Sequence, residues 1–255
     1  MSTLEEKDAE IARLKEELAN AKRQTANMKD MAKVGELAAT MAHEIRNPLA
    51  GISSLAEVLR MKIDSTGSTG EIIDTILEEV ERLNRIVKDL LRFARPGKAV
   101  LGSLDVVETF NQVISFLEER LTEGQFIIHK NFISPCPIIM ADVEQMRQVF
   151  LNIFINGMDA IKDPKHSSVE EGTFHLKIEE MPDESMLAIS ITDNGPGIPE
   201  AHLQDIFEPF FTTKAQGTGL GLAACRKIIE HHGGSISVQS KVGEGTTFTM
   251  KMPVA

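Results

Sequence analysis

Apolar residues recur three and four positions apart over the first part of the chain, which is the period of an α-helix. Between Leu4 and Ala42 this stripe is heptad-like, with Lys7 as its one charged interruption, and charged side chains crowd the positions outside it. A heptad stripe with charged flanks is typical of a coiled coil. We therefore predict a coiled coil over residues 1–32, with a single amphipathic helix on a globular core as the alternative.

The helical pattern continues to residue 59, across Pro48, and resumes over residues 72–91. The intervening segment 64–70 consists of Ser, Thr, Gly and one Asp, which is the composition of a turn. Two long helices joined by a short polar loop predict an antiparallel hairpin over residues 33–97. Because its wide apolar stripe needs a partner, we predict that two chains form a four-helix bundle.

The pattern becomes mixed after residue 97. The predicted helices span about 105–121, 142–162 and 218–232, and the predicted strands span 126–132, 173–179, 186–192, 235–240 and 246–252. Asp142 followed by Gln145 resembles a capping box, which marks the start of a helix. Strands mixed with helices over residues 98–255 predict a second domain of the α/β type.

Composition and charge limit the classes of function. The 255 residues suffice for one large domain or two ordinary ones, and 42% apolar with 25% charged residues are typical of a folded globular protein. The 27 basic and 38 acidic side chains leave a charge of −11, which argues against broad contact with nucleic-acid phosphates. Residues 1–98 hold 16 basic and 17 acidic side chains, whereas residues 99–255 hold 11 and 21. The acidity therefore belongs to the second domain.

The two cysteines and the hydropathy of the chain indicate its surroundings. Cys136 and Cys225 lack the spacing of metal ligands and give no reason to expect a zinc or disulfide framework. No apolar run approaches the roughly 18 residues of a membrane span, and no signal peptide opens the sequence. We expect no membrane segment and a cytoplasmic setting. Because the coiled coil would start almost at Met1, we expect the chain to be part of a longer sensor.

A first candidate for chemistry is His43, in the segment Met41-Ala-His-Glu-Ile-Arg-Asn-Pro-Leu49. His43 and Asn47 are four residues apart and share a helical face, with Glu44 beside them. A neutral imidazole keeps one nitrogen lone pair for nucleophilic attack, and a neighbouring carboxylate can accept the proton of the other nitrogen. A surface histidine on an amphipathic helix is the alternative, and spacing alone does not decide between them.

A second candidate is the pair Asn152 and Asn156, which share one face of the helix predicted from Asp142 and interrupt an apolar stretch. Amide oxygens are hard ligands that suit Mg²⁺, a cation that also binds phosphate oxygens. Capping of buried backbone groups is an equally good interpretation of the two amides.

A third candidate is Asp193-Asn-Gly195-Pro-Gly197, which directly follows a predicted strand. A carboxylate at a strand end can accept a hydrogen bond from an exocyclic amine, and the glycines let the backbone approach a ligand closely. For this segment alone, an ordinary turn is the favoured interpretation.

A fourth candidate is the glycine series Gly217, Gly219 and Gly221 at the start of a predicted helix. Glycines that open a helix offer free N–H groups and the positive end of the helix dipole to phosphate. Dinucleotide-binding folds place such glycines directly after a strand, whereas here the aromatic segment 207–214 precedes them. There is also no lysine–serine pair of the P-loop type, so both of those folds are excluded.

Taken in order along residues 35–255, these motifs resemble those of the two-component sensor histidine kinases. The resemblance implies a fold of α plus α/β type, in which a coiled coil and a dimeric helical hairpin precede an ATP-binding α/β sandwich with a mixed sheet. It divides the chain into a signalling coiled coil (1–32), a dimerisation and histidine phosphotransfer domain (33–97) and a catalytic domain (98–255). A hinge at residues 95–98 would let the catalytic domain reach the histidine.

The resemblance also implies an activity and roles for residues of the hairpin. The chain would be a homodimeric protein histidine kinase that uses ATP and Mg²⁺ and passes its phosphoryl group to an aspartate in a response regulator receiver domain. His43 resembles the phosphoacceptor, Glu44 its proton acceptor, and Asn47 the residue that orients water when the regulator is dephosphorylated. Asn156 resembles the Mg²⁺ ligand of the family, and Asn152 is its companion in the same motif.

Further roles follow for the catalytic domain. Asp193 resembles the group that recognises the adenine amine, and Thr246 matches a residue near the adenine. The glycines that would frame the nucleotide and its lid are Gly195, Gly197, Gly217, Gly219 and Gly221. The lid is short, as in the nitrogen-regulation-type subgroup, and Lys214 is its candidate for reaching the γ-phosphate.

Two other classes of function stay open at this point. A plain ATPase could share the nucleotide-binding fold but would not need the block of residues 43–48. A scaffold that binds nucleotide without turnover is the other alternative, and the intact asparagine and glycine motifs argue against it. A serine kinase is a weaker variant. The sequence names neither the signal nor the regulator, and it does not decide whether phosphorylation occurs within or between subunits.

Overall fold

The computed structural model describes residues 45, 47–61, 68–94, 99–163, 169, 171–214 and 217–254. The chain divides into two compact units at residues 95 and 96, and each is described by itself. The predicted coiled coil, the predicted hinge at 95–98, and both His43 and Glu44 lie outside the described residues. Within the described ranges, every helix is too short or too polar to act as a membrane span.

The first unit contains the two predicted helices, α1 over residues 47–61 and α2 over Ser68–Ala94. Each helix buries one apolar stripe, and the buried residues are Leu49 and Ala56 on α1 and Ile73, Val80 and Val87 on α2. An ion pair of 3.3 Å joins Arg60 to Asp74. The predicted turn at 64–70 is wrong in its last three residues, which form the first turn of α2. Turn-forming residues fit there because the first N–H groups of a helix have no partner within the helix.

The second unit contains both helices and strands. Its helices are α3 (Val106–Phe116), α4 (Glu118–Glu123), α5 (Val143–Lys162) and α6 (Gly221–His231). Its strands are β1 (Gly102–Leu104), β2 (Phe126–Phe132), β3 (Ile139–Ala141), β4 (Gly172–Met181), β5 (Met186–Asp193), β6 (Ser235–Lys241) and β7 (Gly245–Pro253). Short 3-10 helices follow β4 and β5, at Pro182–Glu184 and Glu200–His202.

Five of these strands form a sheet in the order β2-β4-β5-β7-β6. The edge strand β2 runs parallel to β4, and the other neighbours are antiparallel, which confirms the predicted mixed sheet. In this register Asp193 at the end of β5 stands directly opposite Thr246 at the start of β7. Strands β1 and β3 pair in a separate two-stranded sheet.

The core of the second unit lies between one face of the sheet and the helices α3, α5 and α6. Four fully buried aromatic side chains form its centre: Phe110, Phe150, Phe154 and Phe174. The Phe110 and Phe150 rings stack with centroids 4.2 Å apart. The opposite face of the sheet is polar and carries cross-strand hydroxyl pairs such as Thr192–Thr247, at 2.9 Å. Two layers packed in this way form an α/β sandwich, as predicted.

Helix α5 begins where the capping-box pattern places it. The Asp142 carboxylate accepts a hydrogen bond of 3.0 Å from the N–H of Gln145. The N–H of Asp142 donates in turn to Nε2 of the buried His232, at 3.0 Å, and Nδ1 of that ring lies 2.8 Å from the carbonyl oxygen of Ile228. Since Nε2 accepts a hydrogen bond, Nδ1 carries the proton and donates it. This histidine therefore links the start of α5 to the end of α6.

Candidate functional site

Asp193 lies at the carboxyl end of β5, and only 7% of its surface is exposed. Its Oδ1 accepts a hydrogen bond of 2.9 Å from the N–H of Gly195. Burial raises the pKa of the Asp193 carboxyl from 3.8 to about 6, although the N–H groups of Gly195 and Thr246 act in the opposite direction. At neutral pH the side chain is thus a poorly solvated carboxylate, which is well suited to accept a hydrogen bond from a ligand amine.

The loop after Asp193 is attached to the neighbouring strands through Ser240. The Ser240 hydroxyl accepts a hydrogen bond from the N–H of Ile198, at 2.8 Å, and donates to the carbonyl oxygen of Gly245, at 2.7 Å. It also lies 2.9 Å from the hydroxyl of the buried Thr246. The segment containing Gly197 and the start of β7 are therefore held together beside Asp193. Sequence reasoning did not select Ser240, which carries no motif of its own.

Asn152 on α5 connects that helix to the start of α6. Its Nδ2 donates to the carbonyl oxygen of Gly221, at 3.3 Å, and lies 3.6 Å from Sγ of Cys225. Burial raises the pKa of the Cys225 thiol to about 12, so this side chain remains a neutral thiol at physiological pH. The amide of Asn152 thus positions the first turn of α6.

Asn156, one turn further along α5, faces the segment before α6. Its Oδ1 accepts a hydrogen bond of 3.3 Å from Nζ of Lys214, and the same ammonium lies 3.1 Å from Oδ2 of Asp159. Arg120 on α4 approaches the other oxygen of Asp159, with Nη2 at 3.4 Å from Oδ1. Asp159 and Arg120 were not selected from the sequence. The spacing of Asp159 from Asn156 could have indicated it, because residues three apart share a helical face.

The segment after β5 that carries Lys214 is shaped by local hydrogen bonds. The N–H of Lys214 donates to the hydroxyl of Thr212, at 3.1 Å, and the N–H of Gly217 donates to the carbonyl oxygen of Lys214, at 3.1 Å. Further along, the N–H of Phe210 donates to the carbonyl oxygen of Gly219, at 3.0 Å. These bonds bring the glycine series back toward Phe210 before the chain enters α6.

Gly219 has a conformation that other residues rarely adopt, with φ at +67°. A Cβ atom there would lie 2.4 Å from the carbonyl carbon of Phe210. Phe210 itself has φ at 68°, and its ring is largely exposed. The loop segments at Phe210 and Gly219 can approach this closely only because residue 219 has no side chain.

Helix α6 begins at Gly221, three residues later than predicted, because Thr218–Leu220 belong to the preceding loop. Leu220 stands at its N-cap position, and the apolar side chain of Leu220 makes no capping hydrogen bond. The first N–H groups of a helix have no partner within the helix, and the helix dipole adds positive potential there. Such a helix start can bind a phosphate group.

The candidate residues are thus brought together in the second unit, with three exceptions. The exceptions belong to the first unit: His43 and Glu44 lie outside the described residues, and Asn47 is exposed on α1. The residues that the second unit gathers around α5, the ends of β5 and β7, and the start of α6 are Asn152, Asn156, Asp193, Gly195, Gly197, Lys214, Gly217, Gly219, Gly221 and Thr246.

Two family models match the chain. Residues 33–98 match the His Kinase A (phospho-acceptor) domain, and residues 141–255 match the histidine kinase-, DNA gyrase B-, and HSP90-like ATPase. Among curated proteins, the sensor histidine kinase ZraS of Escherichia coli (strain K12) is 36% identical over 221 residues, which cover 87% of this chain and 46% of ZraS. The chain spans less than half the length of the curated relatives it matches.

Solved structures show the same fold. Full-length ShkA in complex with AMPPNP has a TM-score of 0.69 at 28% identity and covers 86% of this chain and 46% of that one. The catalytic domain of the histidine kinase ThkA is 32% identical, with a TM-score of 0.53, over 60% of this chain and 95% of that one. ThkA in complex with the response regulator protein TrrA has a TM-score of 0.64 at 29% identity, over 87% and 62% of the two chains.

The two family matches follow each other in the order phospho-acceptor domain, then ATPase domain, and the similarity to ZraS extends over most of the chain. Strands β4, β5, β6 and β7 of the sheet, the buried Asp193 and the glycine series before α6 lie within the second match, whereas β2 precedes it. The chain belongs to the two-component sensor histidine kinases and contains their phospho-acceptor domain followed by their ATP-binding domain.

Proposed function

We propose that this chain transfers the γ-phosphoryl group of ATP to His43 and from there to an aspartate of a response regulator. The observation that supports this most is the buried carboxylate of Asp193 at the end of β5, in the same unit as the contact between Lys214 and Asn156 on α5. The relationship to ThkA, whose structure with a response regulator protein is known, supports the choice of acceptor.

Asp193 would recognise the base. Its carboxylate accepts the hydrogen bond of the adenine amine, while the N–H of Gly195 fixes the orientation of the carboxyl plane. The buried Thr246, directly opposite on β7, would line the same part of the nucleotide cleft. A base that offers a carbonyl at this position, as guanine does, would meet a like partial charge and be rejected.

The loop and the first turn of α6 would hold the phosphates. Backbone N–H groups between Gly217 and Gly221 can donate to phosphate oxygens, and Gly219 allows the chain to turn there. Lys214 adds a positive charge, and it is the one Lys or Arg among the described residues between β5 and α6, 194–214 and 217–220. Because the second domain is strongly acidic, these donors act against an unfavourable overall field.

Mg²⁺ fits the oxygen atoms available here. Asn156 Oδ1 already binds a cation in this structure, since the Lys214 ammonium lies 3.3 Å away. We propose that Asn156 holds Mg²⁺, with Asn152 positioning the adjoining start of α6. When bound, Mg²⁺ neutralises charge on the phosphate oxygens during transfer.

The transfer itself uses the hairpin. One ring nitrogen of His43 attacks the γ-phosphorus and forms a P–N bond, while the bond to the bridging β–γ oxygen breaks and ADP leaves with that electron pair. Glu44 accepts the proton of the other ring nitrogen. In the second step the P–N bond breaks as an aspartate oxygen of the regulator attacks the phosphorus. We further propose that Asn47 orients water when the chain dephosphorylates the regulator.

We also propose the setting of this reaction. Two chains associate through the hairpin over residues 33–97, and residues 98–255 act as the catalytic domain. The reaction needs ATP and a response regulator, so we infer that it takes place in the cytoplasm.

The test is autophosphorylation of the full chain with γ-labelled ATP. The native protein should accumulate acid-labile, base-stable phosphate, and His43→Gln should accumulate none. His129→Gln, which changes an exposed histidine on β2, is the matched control and should be labelled like the native protein. If His43→Gln is labelled normally, the assignment of the acceptor is wrong. Hydrolysis of ATP without any labelled protein would instead identify a plain ATPase.

A further inference from the structure

Asp159 is an acidic residue beside the proposed path of a polyanion, and neither the sequence motifs nor the proposed function gives it a role. It lies on α5 three residues after Asn156, so the two side chains emerge from the same face of the helix. A carboxylate here would repel a triphosphate unless a cation lies between them.

The structure places a cation at this point. Nζ of Lys214 lies 3.3 Å from Asn156 Oδ1 and 3.1 Å from Asp159 Oδ2, so one amide oxygen and one carboxylate oxygen share a single ammonium. The pair is partly exposed, since 39% of the Lys214 side chain and 41% of the Asp159 side chain are accessible. An ion pair of this kind contributes little to stability and exchanges readily.

Asp159 is also oriented from its other side. Arg120 on α4 lies 3.4 Å from Oδ1, which leaves Oδ2 directed at the ammonium. A carboxylate held by a neighbouring residue is the usual arrangement of a metal ligand, because the outer partner fixes the direction of the free oxygen. Mg²⁺ is commonly held by one or two protein oxygens together with phosphate oxygens and water.

We propose that Asn156 Oδ1 and Asp159 Oδ2 form one cation position for which Lys214 and Mg²⁺ compete. Asp159 is then a second protein oxygen for the metal, in addition to Asn156. When the metal takes this position, Lys214 is released to the phosphates, so that the loop lysine reaches the nucleotide only after the metal has entered. This inference rests on the proposed function, since it assumes that the cleft binds Mg²⁺ with a nucleotide.

The test is the dependence of nucleotide affinity on Mg²⁺, measured by calorimetric titration of the full chain with AMPPNP in EDTA and in saturating MgCl₂. In Asp159→Asn, we expect the Kd in EDTA to fall about three- to tenfold, because a repelling charge is removed and Lys214 is free to bind phosphate. The ratio of the Kd in EDTA to the Kd in MgCl₂ should fall by at least the same factor. The reason is that the metal loses a ligand, so that MgCl₂ improves the affinity less than it does in the native chain. Asp159→Glu keeps the charge and should keep a ratio close to that of the native chain.

Glu123→Gln is the matched control, because it removes the same charge from the end of α4, near Arg120, where the structure gives Glu123 no contact with Lys214. An unchanged ratio in Asp159→Asn, or the same fall in Glu123→Gln, would overturn the proposal. An equally low ratio in Asp159→Glu and Asp159→Asn would overturn it too. The effect would then come from the altered shape of the side chain and not from the loss of the carboxylate charge. If the native chain binds no nucleotide in either buffer, the proposed function fails instead.

Discussion

Among the single residues of this chain, Asp193 shows most directly how the proposed binding function opposes stability. Its carboxyl is buried beside β7 and has a pKa of about 6, so the protein ionises it at neutral pH only against the cost of desolvation. A raised acid pKa means that the folded state is favoured while the group is protonated. That part of the stability is present below about pH 4 and is lost as the pH rises through about 6.

Replacing this carboxylate should therefore stabilise the second unit at neutral pH. For Asp193→Asn we expect a gain of about 2–3 kcal/mol in the free energy of unfolding at pH 7.5, as an upper limit from a shift of about two pKa units. Near pH 4 the gain should vanish, because the native carboxyl is protonated there. Urea unfolding followed by circular dichroism at both pH values measures this. An equal gain at both pH values would assign it to packing instead of ionisation.

Asp193, Asp159 and Ser240 differ in how far the sequence alone could select them as site residues. Asp193 could be selected as a candidate because two glycines follow it in a local pattern, although that pattern alone favoured an ordinary turn. Asp159 was not selected, because its significance comes from Lys214, which is 55 positions away and meets it only in the folded chain. Ser240 was missed for the same reason, since its hydroxyl acts on a loop 42 residues earlier. Local motifs therefore select candidate ligand-binding residues, whereas residues that act through distant contacts are found only in the structure.

At the scale of elements, the predictions succeeded where the signal is local. Strand β2 has the predicted bounds, and α5 starts at the predicted cap. The predicted helix over 105–121 is instead divided at Leu117, whose N–H donates to the carbonyl oxygens of both Val113 and Ile114. The three-residue strands β1 and β3 escaped prediction, because each is too short for a periodic pattern and pairs with a distant segment.

The loop before α6 provides a test at this scale, because two of its glycines differ in their surroundings. Gly219→Ala should lower the free energy of unfolding by about 1–3 kcal/mol, since the new Cβ meets the Phe210 backbone and φ is positive. Gly221→Ala should leave it unchanged or raise it by up to about 1 kcal/mol, because its Cβ finds only Asn152, 3.9 Å away, and alanine favours a helix. Urea unfolding of both variants checks this, and equal losses would contradict it.

At the scale of the whole molecule, the first unit exposes apolar side chains that a lone hairpin cannot cover. Exposed residues share one face on each helix, namely Ile52, Leu55 and Leu59 on α1 and Ile72, Ile76 and Leu83 on α2. Leu55 is the clearest case among these, with 68% of its surface accessible. Contiguous exposed apolar stripes of this kind mark an interface between helices. They agree with the proposal that two hairpins associate.

Breaking this stripe should dissociate the chains without harming the nucleotide site. We expect Leu55→Glu combined with Leu59→Glu to shift the mass in light scattering from that of two chains toward the 28.1 kDa of one. Glu57→Gln, at an exposed position on the same helix, should remain associated like the native chain. Binding of AMPPNP to the second unit should persist in all three proteins. A native chain that is already monomeric, or a double variant that stays associated, would refute the proposed interface.

The links between α5 and α6 have a further consequence for nucleotide binding. His232 ties the end of α6 to the start of α5, and Asn152 ties the start of α6 to the middle of α5. With both ends of α6 attached to the same neighbour, Asn156 and the N–H groups of the first turn of α6 are held at a fixed separation before any ligand arrives. The two helices are therefore preorganised, and the entropy of assembling this half of the cleft is lost during folding, not at the moment of binding.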